Sequence, residues 1–137
     1  LFAEQQWKQI RAAISISAEP VVVAARDGRV LACSEAFTVL LGQPCEHVRS
    51  IDDIAACCVE PEPMRQALSS LVHHQETWRG AAELRRPDGS SVSIDLRAEI
   101  VPGRDGDAVG YMLILSDLTE EKRALAARRS LEASLNE

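Results

Sequence analysis

Aromatic residues are scarce in this chain: two Phe, one Tyr and two Trp among 137 residues. An interior built from it must be filled largely by aliphatic side chains. No apolar run approaches the roughly 20 residues needed to cross a bilayer, and Glu4 and Gln5 deny the first residues the character of a signal peptide. The segment itself is expected to make no membrane contact. Basic residues are in deficit, 15 Lys and Arg against 21 Asp and Glu for a net charge of −6, which argues against a general polyanion surface and so against nucleic acid as partner. The cysteines Cys33, Cys45, Cys57 and Cys58 have neither Cys-x-x-Cys zinc spacing nor the layout of a small disulfide framework. They read as reduced, small apolar residues in a cytoplasmic setting. A Ser/His/Asp constellation, a Gly-rich phosphate loop and paired carboxylates are also lacking, so no catalytic residue and no metal ligand is nominated and the segment reads as a non-enzyme.

The length suits one domain with a sizeable core, at 46% hydrophobic content. Ala3, Trp7, Ile10, Ile14 and Ser17 recur at spacings of four and three, with Glu4, Lys8 and Arg11 on the other side. This is an amphipathic helix over residues 1–19 that needs a packing surface. Trp7, Ile10 and Ile14 are its expected dimerisation face. Val21 to Ala25 and Val30 to Cys33 are β-rich runs joined by Arg26-Asp27-Gly28-Arg29, a hairpin signal. Ser34 caps a helix from Glu35 to Leu41 that Gly42 ends. Gln43 to Pro63, broken by Pro44, Pro61 and Pro63, is expected to hold short helical turns. Met64 to His74 reads as a helix from the spacing of Met64, Ala67, Leu68, Leu71 and Val72.

The period then switches. Trp78 to Arg86, Ser90 to Val101 and Ala108 to Leu115 are expected strands, and in the middle one Val92, Ile94, Leu96, Ala98 and Ile100 alternate with polar residues. Five strands with small helices between them make a single antiparallel α+β sheet. Leu115-Ser116-Asp117-Leu118-Thr119-Glu120-Glu121 then passes from strand to charged helix, with Thr119 as the expected N-cap. Asp117, Leu118 and Thr119 form this junction. The exit helix runs to at least Leu135, with Ala124, Leu125, Ala127, Leu131 and Leu135 as apolar members and a polar face suited to a two-stranded coiled coil.

Three motifs, in order, carry a resemblance. Val30-Leu31-Ala32-Cys33-Ser34-Glu35-Ala36-Phe37 with Leu40-Leu41-Gly42, then Trp78-Arg79-Gly80 with Arg85-Arg86-Pro87-Asp88-Gly89-Ser90, then Ser116-Asp117-Leu118-Thr119, are similar to the pattern of PAS sensor domains. Ser34 stands where relatives usually carry Asn, and Leu118 where they carry Ile. The resemblance implies a PAS-like five-stranded antiparallel sheet with short helices on one face, a core over 20–118 and a signalling helix beginning over 119–137. It further implies a sensory, homodimeric module of a multidomain bacterial signalling protein, with a histidine kinase or another effector downstream in the same chain. The start at Leu1 and the end inside a helical pattern read as a piece of such a parent, which can be membrane-anchored.

The signal is left open. Flavin is disfavoured, because Asp53-Ile54-Ala55-Ala56-Cys57-Cys58-Val59-Glu60 does not match the flavin-binding Gly-x-Asn-Cys-Arg-Phe-Leu-Gln. His73 and His74 close the helix that carries the axial ligand in haem-binding relatives and are the haem-ligand candidates, against a plain reading as favourable charge at a helix C-terminus. A small organic ligand would lie between sheet and helices, lined by Phe37, Leu40, Ile54, Leu68, Leu71, Ile94, Leu96, Met112 and Ile114. The same residues would also make an ordinary core, which leaves a cofactor-free relay or a ligand-free protein-interaction domain as alternatives. Arg79, Arg85 and Arg97 are candidates for a carboxylate, or simply solvated strand charges.

Overall fold

In the computed structural model, residues 18–103 and 108–135 are described, and the expected amphipathic segment with Trp7, Ile10 and Ile14 lies outside them. The strands are β1 (Val21–Ala25), β2 (Val30–Cys33), β3 (Trp78–Arg85), β4 (Ser91–Pro102) and β5 (Ala108–Asp117). They form one sheet of order β2-β1-β5-β4-β3, antiparallel throughout. The order follows from the connections. Tight turns join β1 to β2 and β3 to β4, and the last strand enters between the two blocks. Gly28 and Gly89 sit in those turns at φ of +92° and +91°, a conformation that L side chains rarely adopt.

Helices α1 (Glu35–Leu41), α2 (Ile51–Ala56) and α3 (Pro61–His74) lie between β2 and β3 in sequence, with a 3₁₀ turn at Cys45–His47. Ser34 caps α1 as expected, its hydroxyl accepting from Phe37 N–H at 3.2 Å, and Gly42 closes it in the left-handed region. In α2, Asp53 returns to the N–H groups of Ser50 and Arg49 at 3.2 and 2.9 Å, completing a capping box. Helix α3 begins at Pro61, ahead of the expected Met64. Pro61 and Pro63 do not break it because the first turn of a helix needs no N–H partner, so proline is tolerated there.

One apolar cluster fills the space between the sheet and these helices. It includes Val22, Phe37, Leu41, Ile54, Leu71, Leu84, Ile94, Leu96, Tyr111 and Leu113, all fully buried. Along β4, Val92, Ile94, Leu96 and Ala98 face inward while the intervening residues are exposed or half-buried. The last element, α4 (Thr119–Leu135), leaves the sheet as a solvent-exposed helix. No helix among the described residues is long and apolar enough to cross a membrane.

Candidate functional site

Seven of the nine cleft candidates come together. Phe37, Leu40, Ile54, Leu68, Leu71, Ile94 and Leu96 join one cluster, none more than 7% exposed. Here the space between sheet and helices is occupied by side chains. Met112 and Ile114 are a correction: they lie on the opposite face of β5, against Val21 and Val23. Their neighbours Tyr111, Leu113 and Leu115 point into the core instead. Successive strand residues face opposite ways, so an error of one residue inverts the whole strand. Tyr111 was not nominated, yet its ring is fully buried and its hydroxyl donates to Val72 C=O at 3.3 Å, tying β5 to α3.

His73 and His74 are both exposed on the last turn of α3, away from the closed core. That placement does not fit an axial ligand to a buried haem. Arg79 and Arg97 stand on the outer face in ion pairs with Asp95 and Glu99, at 3.1 and 3.0 Å. All four cysteines are free. Burial pushes the Cys58 thiol up to about 11, with Cys57 beside it adding to the effect, and raises Cys57 too. Cys33 is raised by burial and by a hydrogen bond with Cys45. Protonated thiols are poor nucleophiles, in keeping with a packing role.

Two polar junctions frame the core. At the entry, the buried Ser34 hydroxyl accepts from Val21 N–H at 2.9 Å and donates to Glu19 C=O at 2.7 Å, fastening the start of β1 to the start of α1. At the exit, Asp117 Oδ1 accepts from Thr119 N–H at 2.8 Å. The Thr119 hydroxyl also holds this carboxyl below its usual range. Thr119 is the first residue of α4 rather than the expected N-cap, and the expected acceptor Asp117 supplies the cap. The oxygen two residues upstream reaches the free N–H because Leu118 turns the chain between them.

Leu118 N–H donates to Ser93 C=O at 2.8 Å and Lys122 Nζ to Ser93 Oγ at 3.0 Å. The first turn of α4 is thus bolted to β4 between the core residues Val92 and Ile94. Beyond it the described side chains are exposed, including Leu125, Leu131 and Leu135 at 48%, 63% and 78%. Sequence reasoning also missed Arg86, whose Nε donates to Leu40 C=O at 2.8 Å and joins the β3–β4 turn to the end of α1.

A groove of about 290 Å³ opens at the edge of β3, lined by Val59, Pro63, Met64, Trp78 and Ala82 with Glu60 and Glu83 beside them.

Solved structures share this architecture. The PAS domain of a Colwellia psychrerythraea protein aligns with a TM-score of 0.66 at 22% identity, covering 82% of this chain and 97% of that one. The PAS domain of Bordetella pertussis BvgS aligns at 0.63 and 16% identity, covering 93% and 98%. The Rhodobacter sphaeroides LOV protein aligns at 0.71 and 13% identity, covering 83% and 68%. No curated protein sequence matches. A family model described as PAS domain matches residues 18–120, from just before β1 to the first turn of α4, and the chain belongs to the PAS family.

Proposed function

We propose that this PAS domain is a sensory and dimerising module of a multidomain signal-transduction protein, most economically a histidine kinase, which passes a change in its core to a downstream effector through α4. The observation that carries this reading is the exit junction: α4 is held at its base by Ser93 and Asp117 and exposed beyond. A helix fixed at one end and, among the described residues, exposed along its length can turn or tilt as a unit. The parallel copy of α4 in a homodimer is its natural partner, through the apolar members Ala124, Ala127, Leu131 and Leu135. The entry segment with Trp7, Ile10 and Ile14 is the second proposed contact. The signal is cytoplasmic in this reading.

A second reading has its own support. Because Phe37, Tyr111 and aliphatic side chains pack into one buried cluster between sheet and helices, the input can be a protein partner on the surface, with no cofactor. Flavin and haem have no place in the proposal, for want of a matching motif and of an inward-facing histidine.

Rotational phase tests the relay. In the intact parent, inserting seven residues after Arg129 keeps the same helix face inward, whereas inserting two turns it by about 200°. Output should survive the first insertion and be lost, or locked on, with the second. Unchanged output and signal response in both would reduce α4 to a tether.

A further inference from the structure

Strand β3 is an edge of the sheet, and among the described residues only half of that edge is covered. Val59 N–H donates to Glu83 C=O at 2.9 Å and Arg85 N–H to Cys57 C=O at 2.7 Å, so residues 57–59 act as a short antiparallel neighbour to the end of β3. The chain then turns away into α3 at Pro61. Backbone groups alternate sides along a strand, so the N–H and C=O of Arg79 and Ala81 point outward like those of Glu83 and Arg85. Among the described residues, no strand pairs with that side between Trp78 and Ala82. Proline and bulges, common devices that blunt an edge, are absent from Trp78–Arg85, and its register against β4 is unbroken.

We propose that the open stretch Trp78–Ala82 pairs edge to edge with the same stretch of a second copy of this chain, antiparallel about Gly80, as an interaction surface separate from the terminal helices. Three registers present the outward groups to one another. Centred on Ala81, each copy's Arg79 would lie opposite the other's Glu83, where Val59 already sits. Centred on Arg79, two like charges would lie directly opposite, which destabilises an antiparallel pair. Centred on Gly80, Arg79 of one copy faces Ala81 of the other and four backbone hydrogen bonds can form.

In that register Arg79 has the second copy's Glu83 as a diagonal neighbour, within reach of long side chains. The other diagonal neighbour is the second copy's Arg79; each Arg79 also pairs with its own Asp95 at 3.1 Å, and each Glu83 also accepts from its own Ser91 Oγ at 2.8 Å. On the inner face Trp78 comes opposite Ala82, which lines the edge groove with Val59, Pro63 and Met64. The indole is folded over Gly80, where a Cβ would meet its Cζ2 at 2.5 Å. The centre of the contact is therefore low and flat, and each groove is open to apolar surface from the second copy.

So short a pairing is weak, with a Kd on the order of 10⁻⁴ M. Sedimentation of the whole chain from about 20 µM to about 1 mM should show mass rising with concentration, with protection of the Arg79 and Ala81 amides in hydrogen exchange. Ala81→Pro removes an outward N–H without touching the bonds to β4 and should remove the part of the rise that β3 contributes. Arg79→Glu and Glu83→Arg should each abolish it alone, since every cross-copy pair becomes like-charged, and an equimolar mixture of the two should restore it. Association through other surfaces is common to all samples, and unchanged circular dichroism controls for folding. A wild-type mass independent of concentration, single variants that associate like wild type, or a mixture that fails to recover would overturn the proposal. The first of these outcomes would leave the edge to a strand from a different protein.

Discussion

The two faces of this sheet are made from the same strands and live under different rules. On the inner face, β1, β5, β4 and β3 each bury side chains completely: Val22, Leu113, Leu96, Ile94 and Leu84 are removed from solvent. The outer face is divided. Over β1 and β5 it carries Val21, Val23, Met112 and Ile114; over β3 and β4 it carries Arg79, Glu83, Asp95, Arg97 and Glu99, several joined by exposed ion pairs. The inner face specifies the fold by filling space, and the outer face divides into an apolar half suited to a covering segment and a polar half suited to water.

Adjacent residues on β4 give the largest contrast. Leu96 is fully buried, so Leu96→Ala loses its transfer energy and leaves a cavity, at a cost of about 2–5 kcal/mol. Arg97 is exposed and paired with an exposed Glu99, so Arg97→Ala should change stability by no more than about 0.5 kcal/mol. Urea unfolding of the two variants measures both. Similar midpoints would mean that the inner face is looser than its burial implies, and that the cleft can still admit a ligand.

The same contrast extends to polar groups, with a smaller effect. Ser34 is fully buried, and its single hydroxyl serves Val21 N–H, Phe37 N–H and Glu19 C=O. Ser34→Ala removes the cap of α1 and strips a buried N–H of its partner, which should cost about 1–3 kcal/mol. Ser34→Asn, the residue usual in relatives, keeps an acceptor and should recover part of that loss. A Ser34→Ala thermal melt that matched wild type would show that water can replace the hydroxyl at the entry junction.

How much of this could be read from the chain depends on where each strand sits. β4 has one wet face over its length, so its alternation fixed both its existence and its inward residues. β5 lies between β1 and β4 and is apolar on both faces, so Tyr111-Met112-Leu113-Ile114-Leu115 shows no alternation. Its phase is set by pairing with β4, Leu96 opposite Leu115, which no local pattern reveals; hence the misplacement of Met112 and Ile114. The start of α3 was hidden for another reason, because proline breaks a helix interior and suits its first turn, and only the tertiary setting distinguishes the two. The candidate cleft was legible as a set of apolar residues, seven of which join one buried cluster. The contacts of Arg86 and Ser93 span distant elements and left no local signal.

The smallest effect belongs to the exposed counterpart of Ser34. Asp117 is a solvent-exposed carboxylate held below its usual range by Thr119, with Arg86 and Arg123 adding smaller contributions. Its cap therefore contributes stability that is present above the ordinary Asp pKa of about 3.9 and disappears as pH falls through the lower folded value. Asp117→Ala should cost about 0.5–1 kcal/mol at pH 7, and the difference from wild type should shrink towards pH 2. Asp88, likewise held low by Ser90, titrates in the same window and is present in both proteins, so the difference between them isolates Asp117. Urea midpoints across pH provide the measurement, with hydrogen exchange at Thr119 showing whether the loss is local to the base of α4. A gap that stayed constant down to pH 2 would assign the effect to helix propensity, and the exit would be held by Ser93 alone.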